Sequence, residues 1–242
     1  MSVTRKVRPD ASGPREADYY PTPAWAVEAV ADVILASRPK DMPVIYEPCA
    51  GEGAILRALR ARGAAPDHLR GCELRDDAAQ LCRADGLTVW TMDFLEARPA
   101  VTSNIGVFPM NPPYGGRENT AQKFIMRALD LARYGASVWA LLRINWLLDG
   151  EASCGRQTWM RNGPGTPNVH ALNKRPSFTG DGKADATTYC WAHWVKGLPF
   201  VRPEFRIVDC HGAPAAPAEP VPPVAPTPDP RQVSIFDVLP AN

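Results

Sequence analysis

The sequence predicts an α/β fold: a doubly wound, mostly parallel sheet with a C-terminal edge hairpin. Three observations point there. Apolar runs of strand length alternate with amphipathic stretches of helix length between residues 43 and 144. The joints carry Gly, Pro, Asn or Asp, residues that stop one element and start the next. Strands joined through helices of this length run parallel, because the crossover returns the chain to the same end of the sheet.

The elements follow in order. PVIYEP (43–48) reads as the first strand, and GEGAILRALRARG (51–63) as a helix with Ile55, Leu56 and Leu59 on one face. LRGCEL (69–74) is the second strand, DDAAQLCRADG a helix ending at Gly86, and LTVWTMDF (87–94) the third strand. NIGVFPM (104–110) is the fourth, followed by NPPYGG and by the helix TAQKFIMRALDLARYG, predicted to stop at Gly135. ASVWALLRI (136–144) is the fifth, and runs near 167–172 and 187–196 supply the hairpin. No internal repeat is visible.

The ends of the chain differ in composition from the body. Residues 1–16 are polar, basic and poor in large apolar groups, an arm without fixed structure. Of 26 prolines, nine follow His211, so 212–231 reads as an extended polyproline-type linker and 232–242 as a short amphipathic end. The folded domain is therefore 17–211. With 27 Lys+Arg against 26 Asp+Glu the net charge is +1, so any nucleic-acid contact must come from a local patch rather than from bulk charge. No apolar run approaches 18 residues and no secretory leader opens the chain, so neither membrane spanning nor export is expected. Six cysteines without a CxxC pair suggest reduced, mostly buried thiols in a cytoplasmic protein, with no zinc site. The four histidines (68, 170, 193, 211) lack ligand spacing and are given surface or core roles.

In open α/β sheets ligands bind beyond the carboxyl ends of the strands. The first strand ends in Glu47-Pro48-Cys49-Ala50-Gly51-Glu52-Gly53, where two glycines allow close approach of backbone to a ligand. Only a GxG is present, with neither the third glycine of a dinucleotide fingerprint nor a phosphate-loop GK[ST], so a ligand lacking a pyrophosphate suits it. Alone, this is also how a tight strand-to-helix turn reads. Glu73 ends the second strand, where a carboxylate accepts ribose hydroxyls, and Asp93-Phe94 ends the third, an acceptor beside an aromatic face for an adenine ring. Singly each acid is a solvated strand cap; in this order they outline an adenosine pocket. The fourth strand ends in Asn111-Pro112-Pro113-Tyr114, the most specific signal in the chain. The Asn111 side-chain carbonyl and the Pro112 main-chain carbonyl make two acceptors at one point, and the prolines fix φ in advance. Such a pair suits an NH2 group, with Tyr114 as a planar clamp.

These motifs, in this order, resemble those of the S-adenosylmethionine-dependent amino-methyltransferases, in particular the adenine-N6 DNA methyltransferases of bacteria and phages. The resemblance covers about 17–200. It implies a Rossmann-like methyltransferase fold. Asp18 to Pro23 resembles the aromatic-Thr-Pro segment that contacts the methionine end of the cofactor, which implicates Tyr20, Thr22 and Pro23. Glu47, Pro48, Gly51 and Gly53 resemble the cofactor loop, Glu73 the ribose acid, Asp93-Phe94 the adenine site, and Asn111 to Tyr114 the catalytic tetrapeptide. Asn111 borders the cofactor as well. Arg175-Pro176-Ser177-Phe178 resembles a late segment of the phage-type members. Glu47 stands where many members carry Asp, Cys49 where an aromatic is common, and no long target-recognition domain follows the fifth strand.

The chemistry so implied is transfer of a methyl group to the N6 of a flipped adenine in DNA. A cytosine-C5 mechanism is rejected, since the only Pro-Cys, Pro48-Cys49, lies in the cofactor loop. Arg143, Arg156, Arg161, Lys174 and Arg175, interleaved with Trp146 and Trp159, are the expected nucleic-acid contacts; the bland alternative is a solvated helix and loop with core tryptophans. Gln232-Val233-Ser234-Ile235-Phe236 resembles the peptide by which bacterial DNA-processing proteins bind the replicative sliding clamp through Gln232, Ile235 and Phe236, with Ile235 in a Leu place. A tail packing on its own domain is the alternative. Other acceptors for the same tetrapeptide are an RNA adenine or a protein glutamine, and a silent DNA- or cofactor-binding scaffold stands against all three.

Overall fold

The computed structural model describes residues 21–97, 104–114, 119–149, 155–178 and 184–210. Their centre is an eight-stranded sheet in the order β3-β2-β1-β4-β5-β7-β6-β8. Strands β1 (Val44–Glu47), β2 (Leu69–Glu73), β3 (Thr88–Thr91), β4 (Ile105–Met110) and β5 (Ser137–Arg143) pair in parallel. β7 (Tyr189–Val195) runs antiparallel to both β5 and β6 (Asn168–Leu172), and β8 (Phe205–Val208) pairs in parallel with β6. The predicted hairpin pair is β6–β7. The sequence reading did not include β8, which lies beyond β6 as the outermost strand on that side.

Both faces of the sheet are covered. Helices α1 (Ala24–Glu28), α2 (Ala31–Ala36), α3 (Ala54–Ala61) and α4 (Asp76–Ala84) pack on one face, and α5 (Thr120–Leu131) packs on the other with α6 (Ile144–Leu148) and α7 (Arg156–Asn162). Alternation along β5 assigns Val138, Ala140 and Leu142 to one core and Trp139 and Leu141 to the other, as a period of two requires. β4 breaks that rule. Its register shifts against β1 between Val44 and Ile45, so Ile105 and Phe108 enter the same core although they differ in parity. Gly106 occupies the shift, where an added Cβ would run into the Met42 carbonyl oxygen. Only glycine fits there.

The sequence-predicted helices lie where expected, with α5 shorter than the predicted 120–135. Ala132 is already extended (ψ 138°), and a turn through Gly135 at φ 84° leads into β5. α1 and α2 were not anticipated; Pro23 at the N-cap of α1 is the local signal that marked them. His193 stacks on Trp139 at 4.1 Å beside Ser137 Oγ, and burial pushes His193 and His170 down to about 3 and about 4. Both are neutral core residues.

Candidate active site

Parallel pairing delivers the carboxyl ends of β1, β2, β3, β4 and β5 to one edge of the sheet. Because β7 is antiparallel, its first residue, Tyr189, reaches the same edge. The chain progresses outward from β1 to β2 and β3, then jumps back to β4 on the other side. That reversal opens a crevice between the β1 and β4 ends.

The β1 end builds the glycine turn. Gly51 (φ 53°) and Gly53 (φ 86°) take left-handed conformations open to glycine at little cost, and Gly53 starts α3. A Cβ on Gly53 would meet Leu87 Cδ1 at 2.8 Å and Cys82 Sγ at 3.0 Å. The Gly51 N–H donates to Glu73 Oε2 at 2.7 Å, and the Ala50 N–H to the Cys72 carbonyl at 2.9 Å. Glu73 Oε1 accepts from the Arg75 N–H at 3.0 Å and from Arg75 Nε at 3.3 Å. The second-strand acid is thus bound into the loop and remains 8% exposed.

Glu47 lies beneath this turn, 2% exposed. Burial, reinforced by the nearby Glu73, raises its carboxyl well above the ordinary range. Its Oε2 has no hydrogen-bond partner among the described residues.

At the β3 end Asp93 is exposed and its Oδ1 caps the short 3-10 turn Phe94–Glu96 by accepting from the Leu95 N–H at 2.8 Å. Phe94 requires a correction. Predicted as a platform for adenine, it is 2% exposed and packs in the core against Phe124 (5.6 Å) and Tyr46 (6.3 Å). An aromatic three positions past the strand end is turned inward as the first residue of the 3-10 turn. Leu74, which sequence reasoning passed over, is 61% exposed directly after Glu73 and offers the apolar surface on that side. Its signal was a large apolar residue beyond a strand end, where a polar one is usual.

The β4 end holds Asn111 to Tyr114. Asn111 Nδ2 lies 3.1 Å from Thr22 Oγ1, and its main-chain carbonyl accepts from Cys49 Sγ at 3.3 Å. The Tyr114 hydroxyl lies 2.7 Å from Asn111 Oδ1 and 2.5 Å from the Leu141 carbonyl. A phenol has one proton to give, so it serves one carbonyl at a time. One continuous chain, Thr22–Asn111–Tyr114–Leu141, therefore fixes the tetrapeptide to α1's leading segment and to β5. Pro112 is buried and Pro113 half-buried. Thr22, expected at the cofactor, is 8% exposed and its hydroxyl bonds the asparagine; Pro23 is half-buried and Tyr20 lies outside the described residues.

Beside Tyr114 sits a polar triangle. Arg143 Nε bonds Tyr189 Oη at 2.9 Å, Tyr189 Oη donates to Asp185 Oδ2 at 2.8 Å, and Arg143 Nη2 reaches Asp185 Oδ2 at 3.2 Å. The Arg143 guanidinium lies 5.8 Å from the Tyr114 ring centroid. Of the other expected nucleic-acid contacts, Arg161 and Arg175 are exposed, and Lys174 Nζ lies 4.8 Å over Trp25. Arg156 is corrected: it is 6% exposed, donates to the carbonyls of Trp146 (2.8 Å) and Asp149 (2.9 Å), and stacks on Trp146 at 4.1 Å. Desolvation forced its charge to be spent on main chain, so it is a clamp between α6 and α7. The segment around Gln232, Ile235 and Phe236 lies outside the described residues.

No family model and no curated protein matches the sequence. Solved structures do match. The type IIG restriction endonuclease BpuSI is similar with a TM-score of 0.61 and 16% identity over 75% of this chain and 26% of its own. The methyltransferase subunit of a type I restriction-modification system from Streptococcus thermophilus gives 0.62 and 15% over 81% of this chain and 48% of its own. A Listeria monocytogenes protein assigned to the class I S-adenosylmethionine-dependent methyltransferases gives 0.60 and 16%, over 82% and 68%. The fold is that of the Rossmann-like methyltransferases. This chain spans only 26% of BpuSI and 48% of the Streptococcus subunit. Likeness at these identities fixes the architecture; substrate must be argued from the site.

Among the described residues no helix is long and apolar enough to cross a membrane, and no cluster of three or more His, Cys, Asp or Glu is placed to hold a metal ion.

Proposed function

We propose that this protein transfers a methyl group from S-adenosylmethionine to the exocyclic N6 amino group of adenine in DNA. The observation that carries the reading is the position of Asn111: at the β4 end, on the crevice, with its main chain tied to the glycine-turn residue Cys49 and its carboxamide tied to Thr22 and Tyr114.

The residues fit the cofactor. The left-handed glycine turn has no side chain to obstruct a nucleoside, the Glu73 carboxylate stands at the next strand end for ribose hydroxyls, and Asp93 is exposed for an adenine amino group. Leu74 would cover one face of that purine. Glu47, with an unpartnered Oε2 under the turn, has capacity for one more polar contact. When bound, S-adenosylmethionine supplies a methyl group on a cationic sulfur.

The protein's part is positioning. The amino nitrogen of adenine is a weak nucleophile because its lone pair is shared with the ring. Asn111 Oδ1 and the Pro112 carbonyl would accept its two N–H groups and turn the lone pair toward the methyl carbon; the proton leaves the nitrogen after transfer. Such alignment of two reactants supplies roughly 7–11 kcal/mol, and the carbonyl dipoles need no reorganisation. The half-buried Tyr114 ring would stack on the flipped base. Arg143, Arg161, Lys174 and Arg175 would meet phosphates. The segment 232–242 is proposed to bind the sliding clamp, and its deletion should abolish that binding in a pull-down.

The test is incubation with labelled cofactor and DNA, RNA or protein. Label in N6-methyladenine of DNA, lost by at least ~100-fold in Asn111→Ala while cofactor affinity stays within about threefold, is the expected result. Label confined to RNA or protein would refute it.

A further inference from the structure

We propose that the outer edge of β8 is a self-association surface, joining two copies of this chain through antiparallel β8–β8 pairing about a two-fold axis. Among the described residues β8 has no strand beyond it, and Phe205 is 60% and Ile207 73% exposed. Their side chains lie on one face of the strand, and those of Glu204 and Arg206 on the other.

The main chain of β8 divides in the same way. The Glu204 carbonyl accepts from the Val169 N–H at 2.7 Å, its N–H donates to Asn168 Oδ1 at 2.8 Å, and the Val208 carbonyl accepts from the Asn173 N–H at 3.3 Å. Even-numbered residues thus face β6. Ladder alternation turns the N–H and C=O groups of Phe205 and Ile207 outward, toward the edge. An apolar strand with an outward row of donors and acceptors is a pairing template.

Charge selects both the partner and the register. A two-fold axis normal to the sheet sets residues of equal parity opposite each other, so the centre falls on a residue. Centred on Arg206, the pairing would face two guanidiniums directly, which is destabilising. Centred on Phe205, it lets the two Phe205 residues exchange both main-chain bonds. Glu204 then stands opposite Arg206 of the second copy, twice over, in the non-hydrogen-bonded positions where side chains come closest. Within one chain these groups already attract, with Arg206 Nε 2.8 Å from Glu204 Oε2. In the dimer they become a ring of alternating charges. Pro203 lacks an N–H, but its carbonyl can accept from Ile207 of the second copy.

The closed two-fold stops at two copies. A four-residue strand buries less than a standard interface, so the expected dissociation constant is weak, about 100 µM.

Sedimentation of the full chain from about 5 to about 500 µM should show mass rising from one copy toward two. Glu204→Arg or Arg206→Glu alone should weaken association at least ~10-fold, and the double reversal should restore it to within about threefold. As a second measurement, Phe205→Cys should crosslink into dimers under diamide, which oxidises the two thiols to a disulfide, because hydrogen-bonded pairs place their Cα atoms about 5.5 Å apart. Arg206→Cys should crosslink less. The proposal is overturned by a monomer at every concentration, by a dimer indifferent to both charge reversals, by growth beyond two copies, or by a chain ending at His211 that dimerises when the full chain does not.

Discussion

The two sides of the crevice are held by different kinds of atoms. On the β1–β2 side position is set by main chain: two left-handed glycines, the Gly51 N–H on Glu73, and the Ala50 N–H on the Cys72 carbonyl. On the β4–β5 side it is set by side chains: Thr22, Asn111 and Tyr114, ending on the Leu141 carbonyl. A turn shaped by left-handed glycines is broken by adding volume at those glycines. A site fixed by side chains is altered by deleting one oxygen. The first side is suited to shape and the second to fine alignment.

The strongest disruption of this contrast is Gly53→Ala. With φ at 86° and Leu87 Cδ1 2.8 Å from the new methyl, stability should fall by about 2 kcal/mol and cofactor affinity by at least ~10-fold, read by urea unfolding and calorimetric titration. Retained affinity would mean that the turn does not need its left-handed geometry to hold ligand.

Removing single oxygens on the other side should act on rate alone. Thr22→Val and Tyr114→Phe each delete one member of the chain, and turnover at saturating cofactor should drop by roughly 10-fold, the value of about one buried hydrogen bond. Cofactor affinity should change by less than about threefold. If Thr22→Val loses affinity while turnover is intact, Thr22 belongs to the cofactor side, as the aromatic-Thr-Pro resemblance implied.

A smaller effect tests the floor beneath the glycine turn. Glu47 has a folded carboxyl raised by burial, so between about pH 4.5 and that raised value the folded state holds a proton the unfolded state has lost. Stability from this group is therefore present in acid and declines as pH rises. Glu47→Gln should remove the decline, read as unfolding free energy against pH. Unfolding curves for the two proteins that stay parallel from pH 5 to pH 8 would show that Glu47 is ionised in the fold.

What was legible depended on whether a residue's role was local. Glu47, Gly51, Gly53, Glu73 and Asn111 were readable because strand ends, turns and caps are written within a few residues, and parallel crossovers then bring those ends to one edge. Phe94 and Arg156 misled for a common reason. Each was judged by chemistry that suits a ligand, and each was taken inward by packing: the ring by Tyr46 and Phe124, distant in sequence, and the guanidinium by the Trp146 and Asp149 carbonyls of the preceding helix end. β8 escaped notice since four mostly exposed residues, FRIV, leave no burial pattern to read.

By itself the sequence determined the alternation of strand and helix, the glycine turn, and the order of acidic and amide groups along the strand ends, because hydrophobic period and turn chemistry act over short spans of chain. Tertiary structure alone decided which side chains meet. Thr22 bonds an asparagine 89 residues away, and Tyr114 reaches a carbonyl 27 residues on. Contacts of that kind arise when burial compels polar groups to find partners, and packing, with no counterpart in local pattern, chooses them.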